Sequence, residues 1–255
     1  MSVEYNFYII ENRRFVVPEY DIDLLYSPTE STIPELPEVE ENSVKISGRD
    51  GEVVLSNTYK SQEFNIVVYT DENLSSQEKI IEINKINRFL NSMKNDFKKF
   101  ALLQENKMYD VKYHSQVSTI KYPKSVRFEI PLKSENALAM GLEKKIIEGA
   151  STGESDTIEE TGCIITILGP AQTPVIALND YQMKYDNVIL EGNKIVIDTG
   201  NSTITHITSK GIETNAAIYY NHEYPKIQAG TNEIKVLSGI EDAAQVTTEW
   251  YDLKL

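Results

Sequence analysis

Few side chains in this sequence combine the residue types and spacing that chemistry requires. Three histidines, His114, His206 and His222, stand apart from one another and from any cysteine at metal-ligand spacing. The segment from Asp180 to Asp186 is acidic but lacks the glycine and the closing glutamate of a calcium loop. We therefore expect structural or surface roles for these residues, and no bound metal.

The motifs of the common enzyme classes are also missing. There is no Gly-x-Ser-x-Gly, no Gly-x-x-x-x-Gly-Lys, and no Gly-x-Gly-x-x-Gly following a strand. The single cysteine, Cys163, precedes a run of isoleucines, which is typical of a buried small hydrophobe rather than an activated thiol. Two carboxylates brought together by a β-sandwich leave no motif, so a glycosidase stays open as an alternative. The pattern favours a protein with no enzymatic activity and no cofactor.

The charge of the chain is acidic overall but uneven along its length. The formal net charge is −14 and the pI is about 4.7, which argues against a dedicated nucleic-acid binder. Residues 1–74 carry −10, residues 75–133 carry +6 and residues 134–255 carry −10. Either each segment is an ordinary solvated surface, or an acidic surface of one subunit faces a basic surface of the next.

The expected compartment follows from the same composition. One cysteine permits no intramolecular disulfide, as expected of a protein assembled in a reducing cytosol. The N-terminus has no secretory-signal pattern, and no stretch reaches the roughly 18 apolar residues of a membrane span. We expect a protein without an export signal and without membrane contact.

The elements of the first half begin with an acidic, proline-interrupted segment. Pro28, Pro34 and Pro37 predict an extended arm or long loop over 27–42. Apolar and β-branched residues alternate with polar ones on either side of residues 48–51, which predicts a hairpin. Residues 64–70 have apolar side chains on both faces, which predicts a strand that is covered on both sides.

One helix is predicted over about 76–100. Ser75 and Glu78 have the capping-box spacing at its start. A single apolar stripe follows at steps of three and four: Ile83, Ile86, Leu90, Met93 and Phe97. The basic side chains fall mostly off this stripe, so we expect them on the outward side of a helix that packs on the chain's own sheet.

Two-residue periodicity then predicts strands near 109–114 and 125–131. A short helix is predicted around 137–148, followed by a loop at 153–156. We place the domain boundary here, giving an N-terminal α+β domain over 1–135 and a C-terminal domain over 136–255.

The C-terminal domain is predicted to be all-β. Eight short strands separated by turn signals favour a jelly-roll-type β-sandwich. They cover residues 162–169, 174–179, 187–192, 194–199, 202–208, 216–221, 233–238 and 244–253.

The order of these elements, together with a set of turn and strand-end residues, resembles the distal tail protein (Dit) family of long-tailed phages and prophages. The residues that carry the resemblance are Gly48, Asp50, Gly51, Tyr59, Ile197, Asp198, Thr199, Pro225, Gly230 and Asn232. The acidic closing segment, Glu249 to Asp252, and the proline-rich segment at 27–42 depart from the family pattern.

The resemblance implies a structural hub of a phage tail tip or baseplate. The N-terminal domain would form a homohexameric ring, and a galectin-like C-terminal sandwich would point outward. The implied partners are the tail tube protein, a tail-associated lysin or tail fibre hub, and receptor-binding or baseplate proteins. The implied location is the virion tail tip, after synthesis in the cytoplasm of the bacterial host.

Charge matching suggests which residues form the ring contact. Acidic side chains on the arm would face basic side chains on the helix of the next subunit. The candidates are Glu38, Glu40, Glu41, Lys94, Lys98 and Lys99. The alternative functions are a carbohydrate-binding β-sandwich protein or a glycosidase on such a sandwich; the single tryptophan, Trp250, counts against both.

Overall fold

The computed structural model describes residues 5–11, 13–34, 36–45, 52–94, 96–220 and 222–255. It divides into two compact units, residues 1–142 with Leu255, and residues 143–254. The sequence places this division slightly earlier, at 135/136. Across the described ranges the chain is mainly β with one α-helix, as predicted.

In the described part of the first unit there are eleven strands and the helix. Their bounds are β1 Phe7–Ile10, β2 Arg14–Val17, β3 Ile22–Tyr26, β4 Val39–Lys45, β5 Glu52–Tyr59, β6 Glu63–Tyr69, α1 Ser76–Ser92, β7 Lys98–Leu102, β8 Lys107–Tyr113, β9 Ser118–Lys121, β10 Val126–Ser134 and β11 Ala139–Glu148. One-turn 3-10 helices occupy Pro18–Tyr20 and Leu103–Glu105. The last strand, β11, begins in this unit and ends in the second.

Seven of these strands close into a barrel in the order β8-β7-β1-β2-β3-β6-β10, because β10 pairs with β8. All of the junctions are antiparallel except β1–β7, which is parallel. Strand directions cannot alternate around a ring with an odd number of strands, so one parallel junction is the least that closure allows. Strand β9 extends the sheet from the first half of β10.

The barrel core is rich in phenylalanine. Phe7 lies at its centre, with its ring centroid 5.0 Å from that of Phe100 and 5.1 Å from that of Phe89 on α1. Alternate residues of β6 and β10 point into the same cluster, as expected for strands with one face on the core. The prediction that β6 is covered on both faces is confirmed at Val67, which is fully buried opposite Phe64 and Ile66.

Helix α1 starts where the capping box predicts. The Ser75 hydroxyl accepts from the Glu78 backbone N–H at 3.3 Å, and the Glu78 carboxylate accepts from the Ser75 N–H at 2.7 Å. Ile86, Leu90 and Met93 of the predicted stripe are buried. The stripe omitted Phe89, which is also buried.

The predicted end of the helix is wrong. The helix stops at Ser92, whose hydroxyl donates to the Phe89 carbonyl at 2.6 Å and satisfies one of the free carbonyls of the last turn. Phe97 is exposed, and Lys98 and Lys99 belong to strand β7. Long-range pairing of β7 with β1 and β8 therefore overrides the helical periodicity of this segment.

Parts of the predicted arm pair with strands of the first unit. Residues 27–32 lie along β6, where the Ser31 hydroxyl accepts from the Val67 N–H at 2.8 Å and Thr32 forms a bridge with Asn65. Residues 39–42 belong to β4, which pairs antiparallel with β5. The strand pairing of the predicted hairpin is thus confirmed, and it is longer than the sequence indicated. The predicted turn at residues 48–51 lies outside the described residues.

Apart from residue 221, which is not described, the second unit contains the end of β11 and ten further strands. Their bounds are β12 Thr152–Ser155, β13 Ile164–Leu168, β14 Ala171–Leu178, β15 Tyr181–Lys184, β16 Val188–Ile189, β17 Lys194–Asp198, β18 Thr203–Ile207, β19 Glu213–Asn215, β20 Gly230–Ile240 and β21 Val246–Lys254. One-turn 3-10 helices lie at Ala217–Tyr219 and Ala243–Gln245.

Two sheets of the second unit share one core. The first has the order β19-β18-β17-β13-β21-β11, and the second has the order β12-β20-β14-β15, with β16 beside β14. Isoleucines from β13 and β17 and apolar residues from β14, β15 and β20 belong to the same buried cluster. This arrangement is a two-layer β-sandwich.

Three local predictions in this half are wrong. Residues 139–148 form strand β11 rather than a helix, and residues 153–155 lie in strand β12 rather than a loop. Ala217–Tyr219 form a 3-10 turn rather than a strand. In β11 and β12, strand pairing supplies partners that local propensity does not show.

Candidate functional site

The β4–β5 hairpin presents acidic and apolar side chains together. Glu40 and Glu41 are exposed on β4, and Glu38, just before it, pairs with Lys60 at 3.1 Å while remaining largely solvent-exposed. Leu36 is 64% exposed and Val39 is 53% exposed. Among the described strands, β4 and β5 pair only with each other. A self-paired ribbon that exposes large apolar side chains is typical of a contact surface. We call Leu36, Glu38, Val39, Glu40 and Glu41 the hairpin surface.

The predicted basic partners do not share one helix face. Lys94 is exposed just after α1, whereas Lys98 and Lys99 are partly exposed on β7. Burial raises the pKa of Asp110, and the nearby charge of Lys99 opposes that rise. Lys99 therefore interacts with its own chain.

The lysines on α1 itself are also satisfied within the chain. Lys85 contacts the Asp21 carboxylate at 3.0 Å and the Glu82 carboxylate at 3.1 Å. Lys79 donates to the Tyr122 and Pro123 carbonyls. The expectation of an outward basic helix face is therefore wrong for these two lysines.

The outward side of α1 is instead largely uncharged. Ile80 and Ile81 are 55% and 50% exposed, and Asn84 and Asn91 are exposed along the same side. Arg88 is the charged residue among them. Depletion of charge around exposed aliphatic residues is characteristic of the centre of a protein–protein interface. The number of lysines in this segment predicted a basic outward face and gave no sign of this uncharged one.

The family-like positions in the second unit, predicted to be turn residues, lie at strand ends: Gly230 and Asn232 begin β20, and Asp198 ends β17. The side chains of Asn232 and Asp198 hold the adjoining turns. Asn232 is completely buried, and its amide accepts from the Gln228 N–H at 2.9 Å and donates to the Gln228 and Gly230 carbonyls. Gly230 has a φ of +92°, which a side chain would strain. Asp198 accepts from the Asn201 N–H at 2.9 Å. Gly48, Asp50 and Gly51 lie outside the described residues.

The candidates for chemistry lie apart from one another. His114 contacts Glu63 at 3.5 Å, His206 contacts Asn193 at 3.2 Å, and the His222 ring packs edge-on against Tyr220. Burial raises the pKa of Cys163 to about 11, so its thiol stays protonated. Across the described ranges, no three His, Cys, Asp or Glu side chains are placed to hold a metal ion.

The single tryptophan belongs to the core of the second unit. Trp250 is 3% exposed, and its indole N–H donates to Asp252 at 3.1 Å. The same carboxylate accepts from the Ser155 hydroxyl at 2.5 Å and contacts Lys145 at 2.8 Å. Burial opposes the charge on Asp252, but these hydrogen bonds outweigh it and lower its pKa. Trp250 therefore offers no exposed ring for a ligand.

No described helix is long and apolar enough to cross a membrane. No protein-family model matches the chain, and no curated protein matches it.

Solved phage tail structures share the fold. The crystal structure of the Dit protein of phage SPP1, described as a paradigm of the hub adsorption apparatus of phages that infect Gram-positive bacteria, superposes with a TM-score of 0.64. Identity is 10%, over 90% of this chain and 94% of that one. The baseplate of phage P2 in its activated conformation matches at TM-scores of 0.57 with Ca and 0.56 with Sr. In both, identity is 8% and coverage is 91% of each chain. The resemblance seen in the sequence is thus confirmed for the fold.

Proposed function

We propose that this chain is a non-enzymatic structural hub of a phage tail tip or baseplate. The observation that carries the proposal is the likeness to the SPP1 Dit protein, which covers 90% of this chain and thus reaches into both units. An isolated β-sandwich or barrel occurs in many unrelated proteins, but two units in one matching order are much more specific.

The proposed assembly is a homohexameric ring formed by the first unit. Each subunit would contact the next through two different surfaces, a heterologous contact that closes into a ring when the rotation allows. The hairpin surface is one side. For the other side of the contact we propose Lys94, together with Lys98 and Lys99 a few residues later in the sequence. Ile80 and Ile81, near the start of α1, would supply apolar area on the outward side of the helix.

The proposed partners are those of a connector. One face of the ring would meet the tail tube protein, and the other a tail-associated lysin or tail fibre hub. The second unit, proposed to be a galectin-like jelly roll, would hold receptor-binding or baseplate proteins. The proposed location is the virion tail tip, after synthesis in the host cytoplasm. The buried Trp250 weakens the alternatives of a tryptophan-based carbohydrate-binding sandwich or a glycosidase.

Labelling of phage particles tests the proposal. Gold-conjugated antibodies raised against the chain should decorate one end of the tail, opposite the capsid, in electron micrographs of particles that carry it. Antibodies against a capsid protein serve as the control. Labelling along the tail tube, or labelling only of cell debris, would contradict a tail-tip hub.

A further inference from the structure

A small cleft in the second unit has the composition of a ligand site. Its volume is about 150 Å³. The side chains that line it and matter here are Glu160, Tyr181, Glu223, Tyr224, Lys226 and Gln228. All of them lie within residues 143–254, so the cleft belongs to one compact unit.

One wall of the cleft is held by hydrogen bonds within the second unit. Gln228 donates from its side chain to Glu160 at 3.1 Å, while the buried Asn232 holds the Gln228 backbone N–H and carbonyl. Thr161, next to Glu160, forms a bridge with Ile227, next to Gln228. These contacts hold this wall of the cleft in place before any ligand arrives, which reduces the entropy cost of binding.

One of the two aromatic residues of the cleft, Tyr224, is also held by its neighbours. Tyr220 donates from its hydroxyl to the Glu223 carbonyl at 2.8 Å, and its ring packs against Tyr224 at 5.1 Å. Tyr181, at the start of β15, is 49% exposed. The cleft thus combines a fixed tyrosine with an exposed one, each with an apolar ring and a polar tip.

The polar groups indicate what kind of ligand fits. Carboxylates only accept hydrogen bonds, an ammonium only donates, and an amide or a phenol does both. A cationic ligand would meet the charge of Lys226, and an anionic ligand would meet the charges of Glu160 and Glu223. A neutral ligand whose hydroxyls both donate and accept can use every group.

We propose that this cleft binds a neutral saccharide ring. The hydroxyls of the sugar would bond to Glu160, Gln228 and Lys226, and its C–H face would pack on Tyr181. Binding would be weak for a single ring, because the cleft is small. The inference does not depend on ring assembly by the hub: a chain that binds sugar and stays monomeric would contradict the hub and keep this site.

Saturation-transfer NMR on the full chain tests the site. The probes are glucose, galactose, N-acetylglucosamine and rhamnose. Each is titrated up to about 50 mM, well above the millimolar Kd expected for a single sugar ring. Acetate and methylammonium are the charged comparison probes. At least one sugar should bind, and the charged probes should not. Binding of no sugar, or of a charged probe in preference to the sugars, would overturn the proposal.

Paired variants assign the binding to the cleft. Tyr181→Ala should weaken binding roughly tenfold, the scale of a lost aromatic contact. Tyr122→Ala, a similarly exposed tyrosine in the first unit, should leave it unchanged. Glu160→Gln keeps the size of the side chain and should also weaken binding, whereas Glu159→Gln beside it should not. Wild-type binding by both cleft variants would overturn the site.

Discussion

The β4–β5 hairpin and helix α1 use their charges in opposite ways. The hairpin surface leaves Glu40 and Glu41 exposed, and its Glu38–Lys60 pair is largely solvated. On α1, Lys85 has two carboxylate partners and Lys79 has backbone carbonyls. Both segments look charge-rich in the sequence. Only the structure shows which charges already have partners within the chain and which are available to another molecule.

The apolar residues of the two segments differ in the same sense. On α1, Ile86, Phe89 and Leu90 are buried in the barrel core. On the hairpin, Val39 is exposed and contributes nothing to that core. The buried stripe of the helix is therefore expected to govern folding of the first unit, and the hairpin surface to contribute to its association rather than to its stability.

The largest effect is expected when one apolar residue on each segment is replaced. Phe89→Ala should lower the free energy of unfolding by about 3–5 kcal/mol, because it empties a site among Phe7, Phe15 and Tyr20. Val39→Ser should change it by less than about 0.5 kcal/mol, as for other exposed sites, while reducing ring formation. Urea denaturation and light scattering measure the two effects. Equal losses of stability would contradict the comparison.

A fully satisfied charge in the second unit provides the next test. The pKa of Asp252 is lower in the folded chain than its unfolded value near 3.8, so the ionised carboxylate stabilises the fold. This stabilisation is fully present above the unfolded pKa and is lost as the pH falls through the lower, folded pKa. Asp252→Asn should cost about 1–3 kcal/mol at neutral pH and flatten the decline below pH 4. Fluorescence of Trp250 during denaturation reports on this unit directly. An unchanged acid profile would show that the carboxylate is not stabilising.

Charge reversal tests whether the hairpin is available for association. The double variant Glu40→Lys/Glu41→Lys should fold normally and weaken ring formation about tenfold, most strongly at low salt. Adding Lys94→Glu should restore part of the loss if these residues meet. Glu191→Lys/Glu213→Lys, at two exposed carboxylates of the second unit, is the control with the same change in net charge. Sedimentation velocity at two salt concentrations measures the result; equal behaviour of the hairpin variant and the control would remove the hairpin from the contact.

The smallest effect is expected from a helix charge that is already satisfied. Lys85→Gln should lower stability by no more than about 1 kcal/mol, because partly exposed ion pairs contribute little, and should leave ring formation unchanged. Thermal denaturation and sedimentation detect the two quantities. A large loss of rings without a loss of stability would place Lys85 in the interface.

The elements with strong local signals were predictable. The capping box located the start of α1, and the alternation around residues 43–56 located the hairpin. The end of α1 was not predictable, because Lys98–Leu102 keep an apolar spacing compatible with a helix and become a strand only by pairing with β1 and β8. Strand β11 was missed for the same reason.

The candidate site was harder to predict than the fold. The sequence indicated that acidic and basic segments alternate, but it could not show that Lys79 and Lys85 find partners within the chain. It also could not show that Trp250 is buried, nor that residues as distant as Glu160 and Gln228 form one cleft wall. These properties depend on contacts between residues far apart in the chain.

The central claim is that the chain forms the ring of a tail-tip hub. Negative-stain electron microscopy of the purified chain, concentrated at low salt, tests it most directly. We expect class averages with six-fold symmetry and a central channel, with the double variant Glu40→Lys/Glu41→Lys giving fewer rings. Particles that remain monomeric at every concentration and salt level, or rings of another symmetry, would contradict the account.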